Sequence, residues 1–383
     1  MTEPIPPNID VLIVGAGPVG MTLALALADS PLRVLLIDHR ARGAGSEDPR
    51  ALAIAHGSRQ LLERLKAWNE TAGTAIHEIH VSQRGGFGRT LLNAHDYGAP
   101  ALGYVMRYRD LAAALDSRIT PEQLLAPCAV DMIETTREGA TATLVHNGTT
   151  ERITAKLIVH AEGTPQVDPG IKVCDYRQHA IIAEVRPHPG HQHRAWERFT
   201  PDGPLALLPL GQDYSVVFTL PPEKAEQVLR LDDAGFLAAL RHQFGQRLDF
   251  AGTGARSVFP LALRIRSLIT QQRQVWIGNA AQTLHPVTGQ GFNLGLRDAW
   301  ELAEILQNCS DAGDPIGLAA YSRSRQLDRR ASIVFTDSLV CLFSNDLPPL
   351  RFARGLGLLA LDLCPPLRHF VAKRMIWGAR AWL

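Results

Sequence analysis

Apolar residues run without interruption from Val11 to Val14, and a second apolar run spans Arg33 to Ile37. Runs of this kind mark strands buried on both faces, as in a parallel sheet. Pro18 to Ala28 lies between them with helical character, so the chain opens as a β-α-β unit. A loop rich in Gly and charge follows (Arg40 to Pro49), then a helix from Ser58 to Trp68 with Leu61, Leu62 and Leu65 on one face. Ile76 to Ser82 and Arg89 to Asn93 alternate apolar and polar around Gly85-Gly86-Phe87-Gly88, which predicts a hairpin. Helical spacing returns over Arg109 to Ser117. Ala129 to Thr135, Ala142 to His146 and Ile153 to Val159 read as strands.

From Tyr176 to Arg264 the character changes. Short β-rich runs at Ala180–Val185, Ala195–Phe199, Leu205–Leu208 and Ser215–Leu220 are split by Pro and Gly, with one helical insert at Asp232–Phe244. They predict a separate, mainly antiparallel sheet. At Val275 the earlier style resumes, with a buried strand, a Gly-rich turn and a long helix over Asn293–Gln307. The expected fold class is therefore α/β. A Rossmann-like domain is discontinuous over 1–75, 99–175 and 265–330, a β-sheet substrate domain occupies 76–98 and 176–264, and a helical region covers 331–383. In the segment 347–383, Arg351, Arg354, Arg368, Lys373, Arg374 and Arg380 face a single acid, Asp362, with Leu, Phe and Trp interleaved. Two readings stand for it: a helix pair or subunit contact, and a basic apolar surface lying on an anionic membrane.

Bulk properties narrow the function. A chain of 383 residues exceeds the usual single-core size, consistent with two structural units. A net charge of +1 gives no field for nucleic acid. The five cysteines are scattered and odd in number, without C-x-x-C spacing, which argues for a reducing compartment and against zinc. His188, His191 and His193 lie in a Pro/Gly loop without matching acids or cysteines, so no metal is expected. The amino terminus lacks the pattern of a signal peptide and no apolar run reaches the length of a span. The expectation is a cytoplasmic protein, open to peripheral contact at the inner membrane surface.

Two glycine patterns carry the chemistry. Gly15, Gly17 and Gly20 link the first strand to the first helix: one for the tight turn, one for backbone approach to a pyrophosphate, one for close packing. Asp38 ends the second strand about 20 residues on, where a carboxylate holds ribose hydroxyls. The second pattern is Gly278-Asn-Ala-Ala-Gln-Thr-Leu-His-Pro286-Val-Thr-Gly289-Gln-Gly291-Phe-Asn293-Leu-Gly-Leu-Arg-Asp298. There a strand delivers Gly278, and the glycines open a helix whose amino end can face a phosphate or an electron-rich ring edge.

This second string closely resembles the flavin-contacting segment of class A FAD-dependent aromatic monooxygenases, the p-hydroxybenzoate hydroxylase fold. Within that family it is similar to the ubiquinone-biosynthesis hydroxylases, most of all the 2-octaprenyl-6-methoxyphenol hydroxylase type. Asp48 to Arg59, Val81 to Thr90 and Tyr104 to Leu111 support the narrower match, and the resemblance covers essentially the whole chain.

It implies FAD, with Gly15, Gly17, Gly20 and Asp38 on its ADP half and Arg50 and Arg107 on its flavin side. Surface ion pairs are the competing reading for the two arginines. Asn279 would serve the ribityl or pyrophosphate region, and Gly278 and Pro286 to Asn293, with Gly289 and Gly291, would run beside the isoalloxazine ring. NADPH or NADH would dock transiently as electron donor, with O2 as co-substrate and a flavin C4a-hydroperoxide as oxidant. The family's Ala-Asp-Gly element reads His160-Ala-Glu162-Gly163 here, a departure that puts the speed and identity of the electron donor in question. His285 is a candidate proton-steering group or a turn-shaping residue. Phe199, Leu205, Leu207 and Pro209 are candidates for the sheet face over the flavin, or for ordinary core. The implied substrate is a polyprenylated phenol of ubiquinone biosynthesis, with other quinone-biosynthesis proteins as candidate partners. A hydroxylase of a soluble aromatic compound and a non-catalytic flavoprotein subunit remain as alternatives.

Overall fold

A computed structural model describes residues 8–165, 169–345 and 347–378. The outermost positions of the predicted first domain (1–7) and the last five residues, which include Arg380 and Trp382, lie outside them.

The first sheet has eight strands. Its parallel centre places Asn8–Val14 between Thr149–His160 and Val34–Ile37, with Gln274–Trp276 and Leu124–Leu125 beyond on either side. Val11, Leu12 and Ile13 have no exposed surface, as expected for a strand covered on both faces. Cys128–Thr135 and Ala140–His146 continue the sheet as an antiparallel extension of Thr149–His160. The helices Pro18–Ala26 and Gln290–Leu306 pack against one another over this sheet.

The second sheet has nine strands, all antiparallel except where Arg194–Thr200 pairs in parallel with Glu78–Gln83. One face buries Ile181, Leu207, Val216 and Phe218 against Phe236, Leu240 and Phe244 of the helix Asp233–Phe244. The opposite face looks toward a small third sheet and the chain's final helices. The expected fold class, a Rossmann-like layer with an inserted, mainly antiparallel sheet and a helical end, is the observed one.

Several details differ from the pattern. Ile76 belongs to the short strand Thr74–Ile76 of a third sheet, and the hairpin is Glu78–Gln83 with Arg89–Asn93. The chain changes sheets at His77, whose N–H donates to the carbonyl of His193. The helix Pro222–Leu229 is not predicted by the pattern, although Pro221 and Pro222 form a favourable helix start. One unbroken helix of 29 residues, Pro315–Phe343, runs across the position expected to part the first domain from the helical end. No Pro or Gly interrupts it after Gly317. Two further helices, Pro348–Leu363 and Pro365–Trp377, then fold back over the second sheet.

Candidate flavin site and adjoining cavity

The two glycine motifs meet. Gly15 has φ +109°, and a Cβ there would lie 2.5 Å from the backbone carbonyl of Ala161. At Gly20 a Cβ would come within 2.0 Å of the Gly15 carbonyl oxygen. These two glycines let three stretches of backbone touch. Gly17 differs: its backbone is extended (φ −75°, ψ 173°), and a Cβ would find only the Tyr108 hydroxyl, 3.7 Å away. The space before it is open, and no side chain caps the helix that follows. An open, uncapped helix start with a side-chain-free approach fits a dinucleotide pyrophosphate.

Asp38 is buried at the end of its strand and accepts the Ala16 N–H at 2.9 Å and Arg40 groups at 2.9 and 3.1 Å. Burial alone would raise its carboxyl. The Arg40 contacts and the Ala16 N–H outweigh that and hold it below the usual carboxylate range. It stays ionised.

Gly278 packs on the first motif, since a Cβ there would lie 3.2 Å from Val19. Gly295, which sequence reasoning misses, has the same task one turn into its helix: a Cβ would lie 2.9 Å from Val19 and 3.1 Å from the Gly278 Cα. Asn279, beside Gly278, is partly exposed. Gly289 has φ +59°, and a Cβ there would lie 3.0 Å from that of Ala53, while Gly291 has ordinary room around it. Asn293 is buried and has a structural task. Its Oδ1 accepts the Ala55 N–H at 2.8 Å, while its Nδ2 donates to Ala53 and Gly289 carbonyls at 2.8 and 2.7 Å. The amide ties the loop to strand Ala51–Ala55, and the expected contribution of the Pro286–Asn293 loop, backbone N–H groups beside the ring, does not call on it.

His285 starts the Pro286–Thr288 turn, and its Nδ1 accepts the Val287 N–H at 3.1 Å. Burial pushes it down to about 4, so the ring is neutral and Nε2 is left without a partner. Turn-shaping is therefore the role visible in the geometry.

Arg50 and Arg107 lie at the same end of two paired strands, with Ala51 opposite Arg107. Arg50 pairs with Asp48 at 2.5 Å, and its guanidinium lies 5.3 Å from the Tyr108 ring centre. Arg107 holds Glu184 in a two-pronged pair at 2.9 and 2.6 Å. Glu162 is exposed and reaches back to within 3.4 Å of His160, whose ring stacks on Trp276.

A cavity of about 500 Å³ opens between the Pro286–Asn293 loop, the free face of the second sheet and the last three helices. The sheet contributes Ile79, Val81, Ala206, Leu208 and Val217, and the helices contribute Phe335, Phe343, Leu358 and Met375. Phe199 lines it and stacks on Phe343 with ring centres 3.8 Å apart. Leu207 and Pro209 do not. Strand periodicity turns Ala206 and Leu208 to the cavity, so Leu205 and Leu207 enter the core on the opposite face.

The chain matches the FAD binding domain family over residues 8–336. It is 36% identical over 379 residues to ubiquinone hydroxylase UbiL of Rhodospirillum rubrum, covering 94% of this chain and 87% of that one. It is 30% identical to 3-demethoxyubiquinol 3-hydroxylase of Escherichia coli, covering 95% and 97% of the two chains. Among solved structures, p-nitrophenol 4-monooxygenase PnpA of Pseudomonas putida shares the fold, with a TM-score of 0.75 at 14% identity, covering 97% of this chain and 98% of that one.

Proposed function

The chain belongs to the FAD-binding domain family, and we propose that it is an FAD-dependent monooxygenase hydroxylating the aromatic ring of a polyprenylated phenol in ubiquinone biosynthesis. The observation that carries this reading is the apolar cavity beside the Pro286–Asn293 loop, which suits a ring with an apolar tail. Similarity to proteins named ubiquinone hydroxylases supports it.

Gly15, Gly17, Gly20 and Asp38 hold the ADP half of FAD in this reading. Arg50, Arg107, Glu162 and Asn279 lie around its remainder, and Gly278, Pro286, Gly289 and Gly291 shape the backbone beside the ring. When bound, FAD supplies oxygen activated from O2 with electrons from NAD(P)H. The chain's own residues orient the substrate ring, and the apolar wall excludes water from it.

The test is incubation of the flavin-loaded protein with a short-chain 2-prenylphenol, NADPH or NADH, and ¹⁸O2. One labelled oxygen is expected in the prenylphenol. Labelling of simple phenols, with the prenylphenol untouched, would favour the soluble-aromatic alternative instead.

The substrate's tail places a second demand on the molecule, access from a lipid phase. We propose peripheral membrane contact through 347–378. Phe352, Leu356, Leu363, Leu367 and Phe370 are exposed on the two helices that roof the cavity, beside Arg351, Arg368 and Arg374. Among the described residues no helix is long and apolar enough to cross a membrane. The protein should float with vesicles containing anionic lipid, and Phe352→Glu with Leu363→Glu should cut the bound fraction about tenfold. Equal flotation of the variant would remove this surface from consideration.

A further inference from the structure

The strand Arg194–Thr200 sends Ala195 and Phe199 to the cavity, and Glu197 lies between them on the same face. Its neighbours in register are Val81 on one side and Ala206 on the other, both lining the cavity. Alternation here calls for a hydrophobic residue, and the sequence supplies a carboxyl. Its Oε1 is buried and has no hydrogen-bond partner. The side chain keeps intermediate accessibility overall, and the surface it keeps belongs to the cavity wall. An unpartnered buried carboxyl costs stability, which nothing in the fold repays.

The other titratable groups on the cavity wall each have a partner, although the buried Nε of Arg368 has none. Tyr104 accepts from Arg59, Arg354 donates to the carbonyls of Phe343 and Asn345, and Arg368 donates to the Asp362 carbonyl. Glu197 is the acid of this wall.

Resting on the reading of the cavity as the aromatic substrate's site, we infer that Glu197 accepts the hydrogen bond of the substrate's ring hydroxyl. That bond fixes which ring edge faces the Pro286–Asn293 loop and increases electron density in the ring. The wall is otherwise mostly apolar, which suits the tail, and Glu197 gives it a carboxyl that can orient the head. Burial pushes the Glu197 carboxyl up to about 8. Below that pH the group is protonated and loses its preference for accepting, so binding of a ring hydroxyl strengthens as pH rises through this range.

The experiment uses the flavin-loaded protein, a short-chain 2-prenylphenol and its O-methyl ether. Dissociation constants and hydroxylation rates are measured from about pH 6 to about pH 9.5. Wild type is expected to prefer the phenol to the ether by about 10- to 100-fold, the usual range for a hydrogen bond to a charged group. The preference should grow with pH. Glu197→Gln should lose most of that preference and show a flat profile, while Glu197→Asp keeps the pH dependence with weaker binding. Melting temperatures of Glu197→Gln and Glu197→Leu near pH 8 should equal or exceed that of wild type, because an unpaired charge is removed. An unchanged preference and pH profile in Glu197→Gln, with wild type still hydroxylating the phenol, overturns the assignment of Glu197 alone. A wild type that neither binds nor hydroxylates the phenol overturns the reading of the cavity and this inference with it.

Discussion

Gly17→Ala should leave the fold intact and lower FAD affinity by at least about tenfold, a difference of about 1.4 kcal/mol. The expectation comes from comparing three glycines that sequence motifs treat alike. Gly17 has φ −75° and ψ 173°, a conformation open to any residue, and an added methyl meets only a hydroxyl at 3.7 Å. Nothing inside the protein requires glycine there, so a loss of flavin affinity on substitution would report a ligand approaching the backbone. Gly15 is the contrasting case. Its φ is +109°, and an added methyl would sit 2.5 Å from the Ala161 carbonyl, which leaves a side chain no room. Gly15→Ala should therefore destabilise the protein itself by several kcal/mol, on the order of what strained left-handed backbone and overpacking each cost. Flavin titration and thermal melting of both variants separate the two cases. Wild-type flavin affinity in Gly17→Ala would mean that no pyrophosphate closes on this turn.

Arg325→Met is expected to cost about 3–5 kcal/mol of stability, the range for breaking a buried ion pair from one side. Arg325 has 1% of its surface exposed and donates to Asp298, Glu301 and Asp328, each at 2.8 Å. Burial would lower its pKa, but the three carboxylates hold it protonated. Removing it leaves three buried acids with too little compensation. Arg297, at 2.8 Å from Asp328, still partners one of them.

The damage should reach the flavin loop. Asp298 also accepts the Gly278 N–H at 3.1 Å and the Gln282 amide at 2.8 Å. Arg325→Lys should rescue only part of the loss, because one ammonium cannot reproduce the planar fork that reaches three acids. Burial raises the carboxyl of Asp328, yet Arg297 and Arg325 pull it below the usual range. Its contribution is accordingly present above the ordinary carboxylate range and is lost as pH falls through its depressed folded value. Denaturant melts of the variants at neutral pH check the prediction. A loss under about 1 kcal/mol for Arg325→Met would show that the network contributes little.

The cofactor half of the molecule is legible in the sequence because its constraints are local. A buried parallel strand shows as an unbroken apolar run, and a turn needing φ near +109° or a backbone contact shows as glycine. Gly15, Gly20, Gly278 and Gly289 stand out on those grounds, and the α/β class with an inserted antiparallel sheet follows from the change in periodicity at Tyr176. Arg325 does not stand out, since an arginine in a polar helix ordinarily faces water. Only the packing of Pro315–Phe343 against Gln290–Leu306 buries it.

The cavity lies beyond the reach of pattern. Alternation divides Gly203–Leu210 into two faces, but both are apolar, so Leu207 and Leu208 look equivalent until the helix Asp233–Phe244 claims one face. The sequence says nothing of what the Asn293 amide does; only the fold brings strand Ala51–Ala55 to its donor and acceptor. Glu197 sits in the short β-rich run Ala195–Phe199, and no local pattern says that helices from the far end of the chain roof over its face. The sequence by itself determined the order of elements and the position of the dinucleotide turn, because torsion angles and strand burial act within a few residues. The tertiary structure alone decided what the cavity holds against its contents, because burial and pairing depend on segments more than a hundred residues apart.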